Sequence, residues 1–249
     1  MIFCLNGLLG NPKQWESLFS PADAEAICPA IVAPKSAEKS SAFWKWASDF
    51  TGWVADHPEA QGSGPHWLVG YSQGGRLAMH ALLEAPELWA GVILISADPG
   101  FSGGRDSSER TARIESDRAW AKRFGRESIE YVLPEWEKQE VFGGRPRPLC
   151  WPTPTLEESH EAATQLRVFS VGLQDNLRKP LKALEKPILW VAGSEDAKYR
   201  KIAEDAAADN SDWKSLILEG CGHRAPWDHE SNPQAAYAEF LSKVYEFMK

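Results

Sequence analysis

The chain has 249 residues, 43% hydrophobic and 25% charged, enough for one large domain or one domain with an insertion and too apolar for a disordered chain. Its 35 acidic residues against 27 basic ones give a formal net charge of −8, and no run of Lys or Arg stands out. That balance excludes nucleic acid and an anionic membrane as expected partners and leaves any small anionic ligand to a few local arginines.

The opening MIFCLNGLLG lacks the charged segment of a secretory signal and the apolar length of a membrane span. Residues 2–5 read as a buried strand, with NGLLG (6–10) as the turn after it. EAICPAIV (25–32) is a second strand candidate, and Phe43, Trp46, Phe50 and Trp53 step by three and four, the spacing of one helix face. HWLVG (66–70) predicts a strand, the step of Leu77, Ala78, Ala81 and Leu82 a helix, and GVILIS (91–96) another strand.

The alternation then breaks between about 99 and 177. RDSSERTARIESDRAWAKRF is charged and helical in pattern, and GGRPRPLCWPTPT has the composition of a rigid loop. The stretch reads as a helical lid inserted after the strand 91–96, over the carboxyl edge of a sheet, where open α/β sheets bind ligands. Strands resume at PILWVAG (187–193) and KSLILEG (214–220), and Phe240, Leu241, Val244, Phe247 and Met248 mark a closing helix. The short Val/Ile/Leu-rich runs favour buried parallel strands. The expected class is α/β, a mostly parallel sheet with helices on both faces, with a core of 1–98 and 178–249 and a lid of 99–177.

Cys4, Cys28, Cys150 and Cys221 form no C-x-x-C pair and no zinc spacing. They read as small buried hydrophobes of a reduced, cytoplasmic protein, with no metal and no cofactor expected.

Gly70-Tyr71-Ser72-Gln73-Gly74 is a G-x-S-x-G pattern placed after a strand and before a helix, the elbow that exposes a serine hydroxyl. The alternative is a serine that only caps a helix. A nucleophilic serine needs a base, and the base an orienting carboxylate. Asp196 follows the strand 187–193 and His223 the strand 214–220, so Ser, Asp and His come in that chain order, each after a different strand. Glu195 and His229 are the competitors. Asp196 is preferred for its G-x-x-D spacing from Gly193, and His229 lies in a polar DHES loop. His57, His66, His80 and His160 read as structural. The oxyanion hole is expected at the backbone N–H of Gln73 and an N–H of the NGLLG loop, with Leu8 the candidate.

With these residues placed, the chain resembles the α/β-hydrolase superfamily over nearly its whole length, beginning at what corresponds to that fold's third strand. The runs LVGYSQGGRLAM, ERTARIESDRAWAKRF, EWEKQEVF and GSEDAKYRKIAEDAA are similar to the family of 2-succinyl-6-hydroxy-2,4-cyclohexadiene-1-carboxylate synthases, lyases of menaquinone biosynthesis. The second and third runs lie in the lid, where unrelated α/β-hydrolases differ most. The resemblance implies the α/β-hydrolase fold and a triad of Ser72, Asp196 and His223 that removes a proton before pyruvate is eliminated, with no acyl-enzyme. It also implies that Arg76 and Arg113 bind substrate carboxylates and that Tyr71 and Trp136 line the pocket.

Arg76 sits in the first turn of its helix, where the macrodipole disfavours a cation, so a ligand explains it better than helix stability does. Its alternative is a pair with a protein carboxylate; that of Arg113 is a solvated helix face. The chain departs from the family at two places. Asn6-Gly7 stands where the family has His-Gly, and the further lid arginine has no clear counterpart, Arg145, Arg147 and Arg167 being the candidates. The alternative function is a serine hydrolase of carboxylic esters, thioesters or C–C bonds with an acidic substrate, and a third reading is a binding module without catalysis. No sequence feature sets the oligomeric state.

Overall fold

Successive residues of a strand face opposite sides of its sheet, and the first strand shows what that does here. Phe3 and Leu5 point into one apolar layer while Ile2 and Cys4 point into the other, all four at most 2% exposed. A strand buried on both faces needs helices on both, which a chain alternating strand and helix supplies.

The computed structural model describes residues 1–16, 18–19, 26–34, 41–61, 64–104 and 107–249. In chain order it contains β1 (Ile2–Leu5), α1 (Lys13–Glu16), β2 (Ala26–Ile27), α2 (Ala42–Asp56), β3 (His66–Tyr71), α3 (Gln73–Glu84) and β4 (Trp89–Ile95). Then follow α4 (Ser108–Phe124), α5 (Ile129–Glu137), α6 (Leu156–Val168), α7 (Arg178–Lys182), β5 (Ile188–Gly193), α8 (Ala197–Asp209), β6 (Trp213–Leu218) and α9 (Pro233–Phe247). The strands form one parallel sheet in the order β2-β1-β3-β4-β5-β6. Its order reverses beside β1, so the carboxyl ends of β1 and β3 flank a crevice. Among the described residues, no helix is long and apolar enough to cross a membrane.

One layer packs α2, α3 and α8 against the sheet, and the other packs Trp15 of α1 and the buried stripe Ala236, Phe240 and Val244 of α9. Phe43, Trp46 and Phe50 are buried as their spacing predicts. Trp53 is instead 41% exposed, at the rim of its helix with its ring edge-on to Phe3. The expected strand 25–32 pairs only at Ala26 and Ile27, and its first residue, Glu25, lies outside the described residues. Pro29, with no N–H to donate, stands two residues beyond. The cysteines also differ from expectation: Cys4 and Cys221 are buried, but Cys28 is half-buried and Cys150 is exposed in the proline-rich loop before α6.

Between β4 and β5 the chain makes α4, α5 and α6 around an apolar cluster of their own, which includes Phe124, Val132, Trp136, Phe142 and Leu166 together with Leu9 of the β1 loop. A capping box starts α6: the Thr155 hydroxyl accepts from the Glu158 N–H at 3.2 Å, and the Glu158 carboxylate accepts from the Thr155 N–H at 2.7 Å. Gln165 fastens this unit to the core. Its side-chain oxygen accepts from Gln73 Nε2 at 2.6 Å and its own Nε2 donates to the Ile31 carbonyl at 2.7 Å.

Candidate active site

Ser72 lies between the last residue of β3 and the first of α3, with φ 51° and ψ −110°. A non-glycine residue in that region is strained and must be held by its surroundings. The Ser72 N–H donates to the Ile95 carbonyl of the neighbouring strand at 2.8 Å. The flanking glycines let the turn close: a Cβ on Gly70 would come within 2.6 Å of the Gly74 carbonyl oxygen, and one on Gly74 would fall on the Leu5 carbonyl.

Ser72 Oγ is 3.2 Å from His223 Nε2, and His223 Nδ1 is 2.7 Å from Asp196 Oδ2. His223 and Asp196 are buried. Asp196 is also the N-cap of α8, its second oxygen accepting from the Tyr199 N–H at 3.3 Å, so one carboxylate both starts a helix and orients an imidazole. The two competitors lie elsewhere. Glu195 is exposed, and His229 Nδ1 accepts from the Ser231 and Asn232 N–H groups at 3.2 and 2.9 Å in the loop before α9. His80 is in the core, stacked on Phe43 at 4.6 Å and bonded to the Arg76 carbonyl, and burial lowers its pKa to about 4.

A cavity of about 300 Å³ opens over Ser72. Leu8, Gln73, Tyr71, Trp136, Arg76 and Arg113 all line it, so the residues expected from sequence converge. Gln73 is the first residue of α3, whose leading N–H groups have no intrahelical acceptor. Asn6 is not on the wall. Its side-chain oxygen accepts from Trp15 Nε1 at 2.6 Å, so the residue standing in place of the family histidine fastens α1 to the sheet.

Arg76 is 8% exposed. It donates to the Phe169 carbonyl at 2.6 Å and lies over the Phe43 ring, but among the described residues no carboxylate pairs with it. Burial, with Arg113 adding repulsion, lowers its pKa to about 10. Arg113 is half-exposed on its helix but not free. Its Nε contacts both oxygens of the buried Asp117 at 3.0 and 2.9 Å, and although burial alone would lower its pKa, Asp117 raises it.

Sequence reasoning missed Arg224, which joins the candidate Arg147 in a second cationic group on the wall. Arg224, directly after His223, is 2% exposed, pairs with Glu137 and lies 3.8 Å from the Phe142 ring centre. Arg147 shares Glu137 at 3.4 Å and donates to the Leu9 carbonyl at 2.9 Å. Two guanidiniums against one carboxylate leave a net positive charge. Of the three candidates for a further arginine, only Arg147 reaches this cavity: Arg145 turns to the Asp228 carbonyl and Arg167 to that of Ala121. The available signal was adjacency, a charged residue beside the triad histidine in a Gly/Pro-rich loop.

The model of the Alpha/beta hydrolase family matches residues 2–240. A 2-succinyl-6-hydroxy-2,4-cyclohexadiene-1-carboxylate synthase of Serratia proteamaculans is 31% identical over 94% of this chain and 89% of its own length. The enzyme of that name from Klebsiella pneumoniae (strain 342) is 35% identical over 70% of this chain and 66% of its own. Among solved structures, MenH from S. aureus superposes with a TM-score of 0.77 over 99% of this chain and 92% of that one, at 22% identity.

Proposed function

The chain belongs to the alpha/beta hydrolase family, and from that membership and the charge of its cavity we propose that it is a lyase forming 2-succinyl-6-hydroxy-2,4-cyclohexadiene-1-carboxylate with release of pyruvate. The observation that carries the reading is Arg76, a buried cation beside Ser72 that makes no ion pair with a carboxylate among the described residues, Asp117 and Asp98 acting on it only from a distance. Burying such a charge is costly unless a ligand brings the counter-charge. The product named for the relatives has a carboxylate on its ring and another on its succinyl chain. Two separate cationic groups, Arg76 with Arg113 and Arg147 with Arg224, suit two carboxylates, since a guanidinium donates to a carboxylate bidentately and stays charged.

In this reading Ser72, with His223 as its base and Asp196 orienting the imidazole, takes a proton from a ring carbon. The electron pair left behind becomes a carbon–carbon double bond, the carbon–oxygen bond to the enolpyruvyl group breaks with its electron pair on oxygen, and the enolpyruvate leaves with the proton now held by His223 and tautomerises to pyruvate. The N–H groups of Leu8 and Gln73 face the charge that develops on the substrate, and Tyr71 and Trp136 wall the ring. Residues 99–177 act as the lid that excludes water. The enzyme works in the cytoplasm on a small anionic substrate without a cofactor.

The Ser72–His223 contact also favours a second reading, hydrolysis of an acidic ester, thioester or C–C bond through an acyl-enzyme. Incubating the protein with the enolpyruvyl cyclohexene intermediate and coupling the mixture to lactate dehydrogenase tests the proposal. One pyruvate per substrate consumed is expected; consumption without pyruvate contradicts it.

A further inference from the structure

Tyr199 lies three residues after Asp196, in the first turn of α8. Its N–H is held by the carboxylate of Asp196, and its ring packs on His223 with centroids 4.7 Å apart. A phenylalanine would supply that packing equally well, so the hydroxyl is the part in need of a reason. Tyr199 lines both the cavity over Ser72 and the wider chamber of about 1100 Å³ that opens beyond it. Arg76, Arg113, Lys198 and Asp98 all act electrostatically on its phenol. Lys198 is engaged with Asp98 at 2.9 Å, Arg113 with Asp117, and Arg76 with the Phe169 carbonyl. Among the described residues, no hydrogen bond uses the Tyr199 hydroxyl.

We propose that Tyr199 is a specificity-determining residue, its O–H donating to the substrate carboxylate that Arg76 and Arg113 hold. The assignment rests on the reading of this cavity as a carboxylate site. A carboxylate offers about four lone-pair positions, and two guanidiniums leave room for a further donor. Burial keeps the phenol protonated, so it has a proton to give. Three cations act on its oxygen against the one carboxylate of Asp98, which Lys198 already holds, so the direction that favours that proton is towards a further anion.

Tyr199→Phe tests this, because it removes one oxygen and keeps the ring on His223. A hydrogen bond to a charged group is worth about 10- to 100-fold. We expect kcat/KM for pyruvate release to fall by that factor, mainly through KM. The ratio of that rate to hydrolysis of p-nitrophenyl acetate should fall with it, and succinate, used as a dicarboxylate probe in calorimetry, should bind about tenfold more weakly or worse. Tyr199→Leu, which also removes the ring, should lower both rates together. A Tyr199→Phe enzyme that binds succinate as the parent does, or loses both activities in proportion, overturns the assignment. If the parent releases no pyruvate yet binds succinate in a Tyr199-dependent way, the proposed reaction falls and Tyr199 stands. If pyruvate is released and Tyr199→Phe matches the parent, Tyr199 alone falls; a parent that does neither overturns both.

Discussion

At the scale of single residues, Ser72, Asp196 and His223 were legible because each follows a strand at a spacing set by the turn after it, and the structure brings them to 3.2 and 2.7 Å. Tyr199 and Arg224 were not, because only the fold turns their side chains to the cavity. Ser72→Ala should lower turnover by about 10³-fold or more with the fold intact; a folded variant assayed near the parent rate would remove the triad from the account. Asp196→Asn should cost far more activity than Glu195→Gln, since only Asp196 meets the imidazole, and steady-state kinetics on the pair reads the order directly. Arg76 carries a stability consequence. A base whose pKa is lowered on folding holds its proton less well folded than unfolded, so its charge opposes folding below about pH 10, and the opposition fades as pH rises from there towards the ordinary value of a free guanidinium. Arg76→Met should therefore stabilise the ligand-free protein by about 1–2 kcal/mol at neutral pH while impairing the reaction. Thermal melting measures this, and a lower Tm would mean that the contacts with Phe169 and Phe43 outweigh the buried charge.

At the scale of elements, the length and Val/Ile/Leu content of short apolar runs gave five of the strands nearly their observed length, because parallel strands buried on both faces are continuous apolar runs. The edge strand β2 was overestimated, since an apolar run interrupted by Pro29 can be buried without pairing. Of the helices between β4 and β5, α4 had no apolar face to read: it is polar around most of its surface, and its burial comes from α6 rather than from the sheet. This unit is tied to the core by scattered polar contacts, among them Gln165, Arg147 with the Leu9 carbonyl and Glu137 with Arg224, while α4 packs on α5 and α6 and not on the sheet. Segments with few core contacts open at lower free energy than the sheet. Amides of residues 107–168 should accordingly exchange faster than those of β3, β4 and β5 in the empty protein, and slow when a dicarboxylate is bound. Equal protection of both in the empty state would contradict a lid.

At the scale of the whole molecule, a chain with net charge −8 confines its useful cations to one cavity at the carboxyl edge of the sheet. The fold class followed from alternation alone, whereas the cavity's second cationic group, Arg147 with Arg224, depends on loops 140–151 and 221–230, whose course no local pattern sets. The most direct test of the account compares two substrates in the parent, Arg76→Ala and Arg113→Ala: the enolpyruvyl intermediate and p-nitrophenyl acetate. Leaving a buried ligand charge unpaired costs about 2–5 kcal/mol, roughly 30-fold to several thousand-fold in kcat/KM. The account predicts a loss of that size for pyruvate release, with the neutral ester little affected. Equal losses on both substrates, or a parent that turns over the neutral ester faster than the intermediate, would contradict it.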